Sequence, residues 1–317
     1  MGMTIVRNIF LAGAMAAVAA PAMAELEWMT DLPAAQERAA AENKLVLVDF
    51  TGSDWCGWCV RLHKDVLDTP AFESYAADKF IMMEVDVPQN PNFDKELRAR
   101  NEELCSRYSI DGFPTLMVMT PEGVVTGGFV GGRPDLAAVE QPLDAARANA
   151  EAYAAAQQQE GVEKAKALFA VYQALPEDLL GTAKSLQEEI MALDPEDSTG
   201  MKLLIATAEQ KKALMAEMEA AYGNAAAVLS ILDKYLAEAL PGNRGNMLNT
   251  KARLLLTTAD SLEDIAAAKE VALQAIDCDP ATAEENRAGV EKTFADPEAL
   301  LERARHYRER RAQQKKK

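Results

Sequence analysis

Two cysteines with two residues between them, Cys56-Gly57-Trp58-Cys59, follow an apolar run at 44–48 and open a stretch of helical periodicity. Paired thiols at this spacing can exchange a disulfide. A helix N-terminus presents unpaired N–H groups and the positive end of its dipole, and both favour a thiolate on the first cysteine. Cys59 lies one turn on, on the same side, near enough to close a small disulfide ring with Cys56. A bridge across two residues constrains almost no loop in the unfolded chain, so a redox role explains the spacing better than a stabilising one.

Other reactive residues are sparse. The chain holds four cysteines in 317 residues, too few for a disulfide scaffold. His63, four residues past Cys59, reads as a half-buried packing side chain, with an electrostatic influence on the thiolate as the alternative. The Cys-x2-Cys-x3-His set lacks the fourth ligand that zinc usually takes, so no metal is expected.

The elements that must position the pair follow in order. Asp31 caps a helix with Pro33 in its first turn and an Ala-rich body to Asn43. Residues 45–51 form a β-branched strand of the kind covered on both faces. The spacing predicts a helix over 56–67, stopped at Asp68-Thr69-Pro70, then a short helix over 70–77. A strand is expected at 80–87, a break at 88–92, a helix over 93–108 and a turn at 111–114. A hairpin of 115–119 and 124–130 precedes another helix from Asp135. This order predicts an α/β mixed sheet with helices on both faces, in which strands joined through helices pair in parallel and the last two pair antiparallel.

Composition changes near Pro142. Beyond it the chain is dominated by Ala, Leu, Glu, Lys and Gln, with breaks at Pro176, Pro195, Pro241, Pro280 and Pro297; this predicts an all-α region. The expected division is an N-terminal domain over 25–142, a linker or connecting helix over 143–162, and a helical domain over 163–317 with a basic tail at 303–317. Ala268, Ala272, Ala275 and Pro280 sit at spacings that weakly resemble the second helix of a tetratricopeptide repeat.

The first 24 residues read as an export signal: Arg7 is their only charge, 9–20 is apolar, and Ala22-Met23-Ala24 is a small-x-small cleavage site. Cleavage after Ala24 would leave a periplasmic or secreted protein. The formal net charge of −17 disfavours nucleic acid and anionic lipid as partners.

Residues 25–142 resemble the thioredoxin-fold family. The resemblance rests on Val48-Asp49-Phe50, Trp55-Cys56-Gly57-Trp58-Cys59, Tyr108 with Ile110, Gly112-Phe113-Pro114-Thr115, Gly127-Gly128-Phe129 and Gly131-Gly132. It implies Cys56 as an exposed nucleophile, Cys59 as the resolving thiol and Asp49 as a buried acid that accepts the resolving proton. It implies a cis Pro114, with the backbone of Phe113 free to pair with an extended substrate. Trp55 and Trp58 would form an apolar rim, although Trp55 packing on the helix is an equal alternative. The family's usual Lys near the buried acid is replaced at Met82, with Glu84 close by, so Asp49 lacks that cation. Cys105 is read as an inert core residue, and a Cys105–Cys278 bridge is a minor alternative. The function implied is an exported thiol–disulfide oxidoreductase that needs no cofactor beyond its redox-active disulfide. Its partners would be protein thiols and disulfides and an upstream redox partner, and the helical region would be an interaction or dimer module. The rivals are a disulfide isomerase, with the helices as a substrate cradle, and a non-catalytic scaffold.

Overall fold

The computed structural model describes residues 26–314; the expected export signal and its cleavage site lie outside them. A five-stranded sheet has the order β1-β3-β2-β4-β5. Its strands are β1 (Trp28–Met29), β2 (Leu45–Thr51), β3 (Phe80–Asp86), β4 (Thr115–Met119) and β5 (Val125–Val130). The helices of this part are α1 (Leu32–Glu42), α2 (Gly57–Leu62), α3 (Pro70–Ala76), α4 (Lys95–Arg107) and α5 (Leu136–Ala156). The two-residue β1, which pairs in parallel with β3, is too short to leave a periodic signal in sequence.

Alternation along the central strand builds two cores. Leu47 points to a cluster with Leu62, Leu67, Phe72 and Leu143 on one face. Val46, Val48 and Phe50 point to Ala35, Ala39, Val85 and Tyr108 on the other. Both faces are covered, which is why β2 reads as a continuous apolar run rather than an alternating one.

One expected pairing is corrected. β2 and β3 are parallel, but β4, although reached through a helix, runs antiparallel to β2, with Phe50 opposite Thr115. Between β3 and β4, α4 is tied near its middle to the end of β3, and its C-terminal Leu104 and Cys105 pack with Tyr108 on the face of Val46, Val48 and Phe50. Its buried Asn101 donates from Nδ2 to the carbonyl of Asp86, the last residue of β3, at 2.7 Å. β4 starts beside the C-terminal end of β2, with Thr115 opposite Phe50, and runs back along it.

The composition change near Pro142 falls inside α5. An interior Pro costs a helix about 3 kcal/mol. Burial of Val139, Leu143 and Ala146 in the sheet core offsets that, at about 1.5–3 kcal/mol for each large side chain. Buried Asn149 donates to the carbonyls of Thr126 on β5 and Val171 on α6 (Gly161–Gln173), at 2.9 and 3.0 Å. The stretch over 143–162 is therefore mostly helix, and the first compact unit ends at Leu193, the last residue of α7 (Lys184–Leu193).

The second unit, from Asp194 onward, is helical: α8 (Met201–Ala220), α9 (Ala225–Ala237), α10 (Pro241–Thr258), α11 (Leu262–Ile276), α12 (Ala283–Thr293) and α13 (Pro297–Gln314). Asn224 caps α9, and Ser261 with Asp264 forms a capping box on α11. Ala268, Ala272 and Ala275 are buried, and Gly245 of α10 lies against Cys278 and the Ala275 carbonyl. Small residues thus let α10 and α11 approach closely. No described helix is long and apolar enough to cross a membrane.

Candidate redox site

β2 ends at Thr51 and the chain turns at once. The amides of Trp55 and Cys56 both donate to the Gly52 carbonyl, at 3.3 and 2.9 Å. The loop is clamped to the end of β3: Ser53 donates from its amide and Oγ to the two carboxylate oxygens of Asp86, at 2.9 and 2.6 Å. Asp54 in turn accepts from the amides of Gln89 and Asn90 at 2.9 and 2.8 Å. This loop places Cys56 as the N-cap of α2.

Cys56 and Cys59 are joined by a disulfide, with Cα atoms 5.2 Å apart. The Cys59 amide donates to Cys56 Sγ at 3.2 Å, so the first sulfur occupies the place of a capping oxygen. Negative charge on that sulfur meets the orphan N–H groups and dipole of α2. The expected exposed nucleophile is corrected: Cys56 is only 6% exposed and Cys59 is fully buried. The bridge turns the Cys56 sulfur toward its buried neighbour and leaves a narrow window, with Cys56 the more accessible of the two.

Around that window stand Trp55 and Trp58, which is 60% exposed. Trp55 is both packed and presented: its indole Nε1 donates to the Val87 carbonyl at 2.9 Å, its ring meets Phe113 edge-on, and it stays partly exposed. The Arg61 guanidinium lies 4.9 Å from the Trp58 ring centre. The Phe113–Pro114 peptide bond is cis, and the Pro114 carbonyl accepts from the Gly131 amide at 2.8 Å.

Asp49 is fully buried on β2. The residue opposite it on β3 is Glu84; Met82 faces Leu47, so the neighbouring strand offers an acid where the resemblance placed a missing cation. The cation comes from α2's continuation instead. His63 Nε2 lies 2.7 Å from Asp49 Oδ2, and Nδ1 lies 3.2 Å from Asp68 Oδ1. This corrects the reading of His63 as a packing side chain. The available signal was its position one turn past Cys59 on the same helix face. Burial raises the Asp49 carboxyl above its ordinary value, and the His63 hydrogen bond pulls it partly back. Burial pushes the His63 imidazole down, but hydrogen bonds and charge from Asp49 and Asp68 outweigh it and carry it up to about 9.

The remaining cysteines stand free, with no bridge between Cys105 and Cys278. Burial, then Glu102, pushes the half-buried Cys105 thiol up to about 11, which keeps it protonated and unreactive. Cys278 is exposed, with its sulfur against the Gln274 carbonyl at 3.5 Å.

Comparison with known proteins places this geometry. A family profile described as "Thioredoxin-like" matches residues 27–121, the span holding every strand but β5, so this part of the chain is a thioredoxin-like domain. A relative named "Disulfide bond reductase DsbH", from Chlamydia pneumoniae, is 36% identical over 102 residues, which is 32% of this chain and 61% of that protein. "Thioredoxin-related protein DsbJ", from the same organism, is 30% identical over 95 residues, covering 30% of this chain and 27% of that one. The chain thus spans about three fifths and about a quarter of these two relatives. Among solved structures, the "DsbH Oxidoreductase" is 28% identical with a TM-score of 0.36, covering 46% of this chain and 94% of that one. The C-terminal domain of Neisseria meningitidis DsbD, in its oxidised form, is 21% identical with a TM-score of 0.28, covering 36% and 96%.

Proposed function

We propose that the chain is an exported thiol–disulfide oxidoreductase that reduces disulfides of protein substrates. The observation that carries this reading is the Cys56–Cys59 disulfide at the mouth of α2, with the Cys56 sulfur capped by the Cys59 amide. The thioredoxin-like match around it and a relative named as a disulfide bond reductase support the class and the direction. The lone early charge at Arg7, the apolar run over 9–20 and the small-x-small site at Ala22-Met23-Ala24 support export.

In the reduced protein the Cys56 thiolate attacks one sulfur of a substrate disulfide. A new S–S bond forms between Cys56 and that sulfur, and the other substrate sulfur leaves with the electron pair as a thiolate, which takes a proton from water. Cys59 then loses its proton to Asp49 and attacks Cys56 Sγ, expelling the second substrate sulfur as a thiolate. Two substrate thiols and the Cys56–Cys59 disulfide result. An upstream dithiol returns two electrons and two protons to the site. Trp55, Trp58, Phe113 and Pro114 form the surface on which an extended, partly apolar substrate segment rests, and the helical unit serves as a module for partner choice.

The test is dithiothreitol-driven reduction of insulin by protein lacking residues 1–24, compared with Cys56→Ser. Catalysis by the wild type that Cys56→Ser abolishes is expected; a wild type no faster than the serine variant removes the enzyme reading.

A further inference from the structure

Asp49 has no contact with solvent of its own. Its Oδ1 is buried without a hydrogen-bond partner, and its Oδ2 is held by His63 Nε2 at 2.7 Å. A proton accepted by this carboxylate therefore has no direct exit. The opposite ring nitrogen, Nδ1, lies 3.2 Å from Asp68 Oδ1, whose side chain is 58% exposed. The three groups run in line from a sealed acid to an open one.

The local backbone makes this alignment. His63 opens a π-helical turn, His63–Leu67, and the Asp68 amide donates to the His63 carbonyl at 2.9 Å. On a regular α-helix, residues five apart point roughly 140° away from each other. The wider turn brings Asp68 under His63 instead. His63 shares a cavity of about 280 Å3 with Cys59, Thr51, Lys64, Asp68 and Glu84, so the resolving cysteine and the imidazole face one space. A cavity of this size takes several waters, each occupying roughly 30 Å3.

Charge around the ring favours a cation there. Asp49 approaches from β2, Glu84 from β3 and Asp68 from the end of the π turn, while Asp86 acts on Asp49 and Glu84 from behind. Among the described residues, Lys64 is the only opposing charge lining the cavity. From β1 the ring meets Trp28, centroids 5.6 Å apart, which brings no titratable group.

We propose that His63 is the proton port of the redox site, coupling the buried Asp49 to solvent through Asp68. This rests on the exchange reaction given above. In the resolving step the Cys59 thiol gives its proton to Asp49, and the sulfur attacks Cys56 Sγ as the bond from Cys56 to the substrate sulfur breaks. The pair has then passed from carboxylate and imidazolium to carboxylic acid and imidazolium. Loss of the Nδ1 proton toward Asp68 restores neutrality, leaving carboxylic acid and imidazole. No uncompensated charge stays in the interior, where it would be costly. When an upstream dithiol reopens the disulfide, Asp49 returns its proton to Cys59 and His63 regains one from solvent. His63 acts through Asp49 and touches neither substrate nor sulfur, so it is a positioning residue for proton transfer.

The experiment follows the resolving step alone. Reduced protein lacking residues 1–24 is mixed with 5,5′-dithiobis(2-nitrobenzoate), and thionitrobenzoate release is followed by stopped flow. The first equivalent reports attack by Cys56, the second reports attack by Cys59 on the mixed disulfide. For the wild type, the second phase should change by less than about threefold between pH 6 and 8.5. His63→Gln keeps an N–H toward Asp49 but does not titrate. Its second phase should rise about tenfold per pH unit from a deficit of about tenfold at pH 6.5, so that it converges on the wild type near pH 7.5. Asp68→Asn, at an exposed position, should shift the profile in the same direction by about threefold. A constant ratio of variant to wild type at every pH means a structural role and overturns the port, as does an unchanged profile. If circular dichroism shows His63→Gln unfolded, Asp68→Asn decides by the same criterion. A wild type that never releases the second equivalent sinks the exchange reading itself, whereas normal wild-type release with unaltered variants sinks only the port.

Discussion

The Trp55 ring stands edge-on to Phe113, with centroids 5.4 Å apart and an interplanar angle of 72°. This contact ties the loop that delivers Cys56 to the residue before the cis peptide. The same indole is anchored to the Val87 carbonyl, so Trp55 joins three segments that are far apart in sequence. Trp55→Ala should free Phe113 and open the rim. We expect kcat/KM for insulin reduction to fall about tenfold, equivalent to about 1.4 kcal/mol, with a smaller loss toward 5,5′-dithiobis(2-nitrobenzoate). Equal losses with both substrates would place Trp55 outside substrate binding.

The order of attack is testable by trapping. Cys59→Ala removes the resolving thiol and should leave Cys56 in mixed disulfides with partner proteins, visible on non-reducing gels. Cys56→Ala should trap little, because Cys59 is fully buried. The opposite pattern would exchange the two roles.

The Asp49–His63 pair makes stability depend on pH. His63 rises from 6.5 to about 9 in the folded protein. A group raised on folding contributes stability that is fully present below its unfolded value and lost as pH climbs through its folded one. The window is therefore pH 6.5 to about 9, and the full contribution is on the order of 3 kcal/mol. Asp49, also raised by burial, works in the same direction. Thermal unfolding of the oxidised protein should show Tm falling from pH 7 to 9.5, and His63→Gln should be lower at pH 7 but flat across that range. A wild-type Tm that rises over the window would contradict the pairing.

Gly128 holds β5 against β4. Its φ is +135°, and an added Cβ would sit 2.0 Å from the Leu116 carbonyl oxygen. That obstacle is backbone, so nothing flexible can yield. Gly128→Ala should cost more than about 3 kcal/mol, read as a lower denaturant midpoint or loss of soluble protein. A variant within about 1 kcal/mol of wild type would show that the hairpin register can shift.

The break after Leu193 predicts that a fragment of residues 26–193 folds cooperatively and keeps the thionitrobenzoate reaction within about twofold. A fragment ending at residue 142 should fail, because it removes Leu143 and Ala146 from the sheet core. Folding of the shorter fragment would move the boundary back to the composition change.

Much of the first domain is legible in the sequence. The continuous apolar run of β2 marks a strand covered on both faces, and the Cys-x2-Cys spacing after it marks a thiol pair at a helix start. Local periodicity and turn chemistry carry both signals. The direction of β4 was not legible, because it depends on where α4 docks, and Asn101 reaches the Asp86 carbonyl through space rather than along the chain. The composition change at Pro142 does not coincide with the end of an element for a related reason: composition reports helix propensity, whereas α5 runs through Pro142 and is held in place by what it buries.

The amino-acid order alone determined which two sulfurs meet and which helix they open, since four consecutive positions and a preceding strand suffice for that. Only the tertiary structure decided what stands beneath them. The partner of Asp49 comes from a π turn fourteen residues on, and the neighbour across the sheet is Glu84 rather than Met82. Strand register and helix winding set such contacts, and both are cooperative properties of the packed core that no short window of residues encodes.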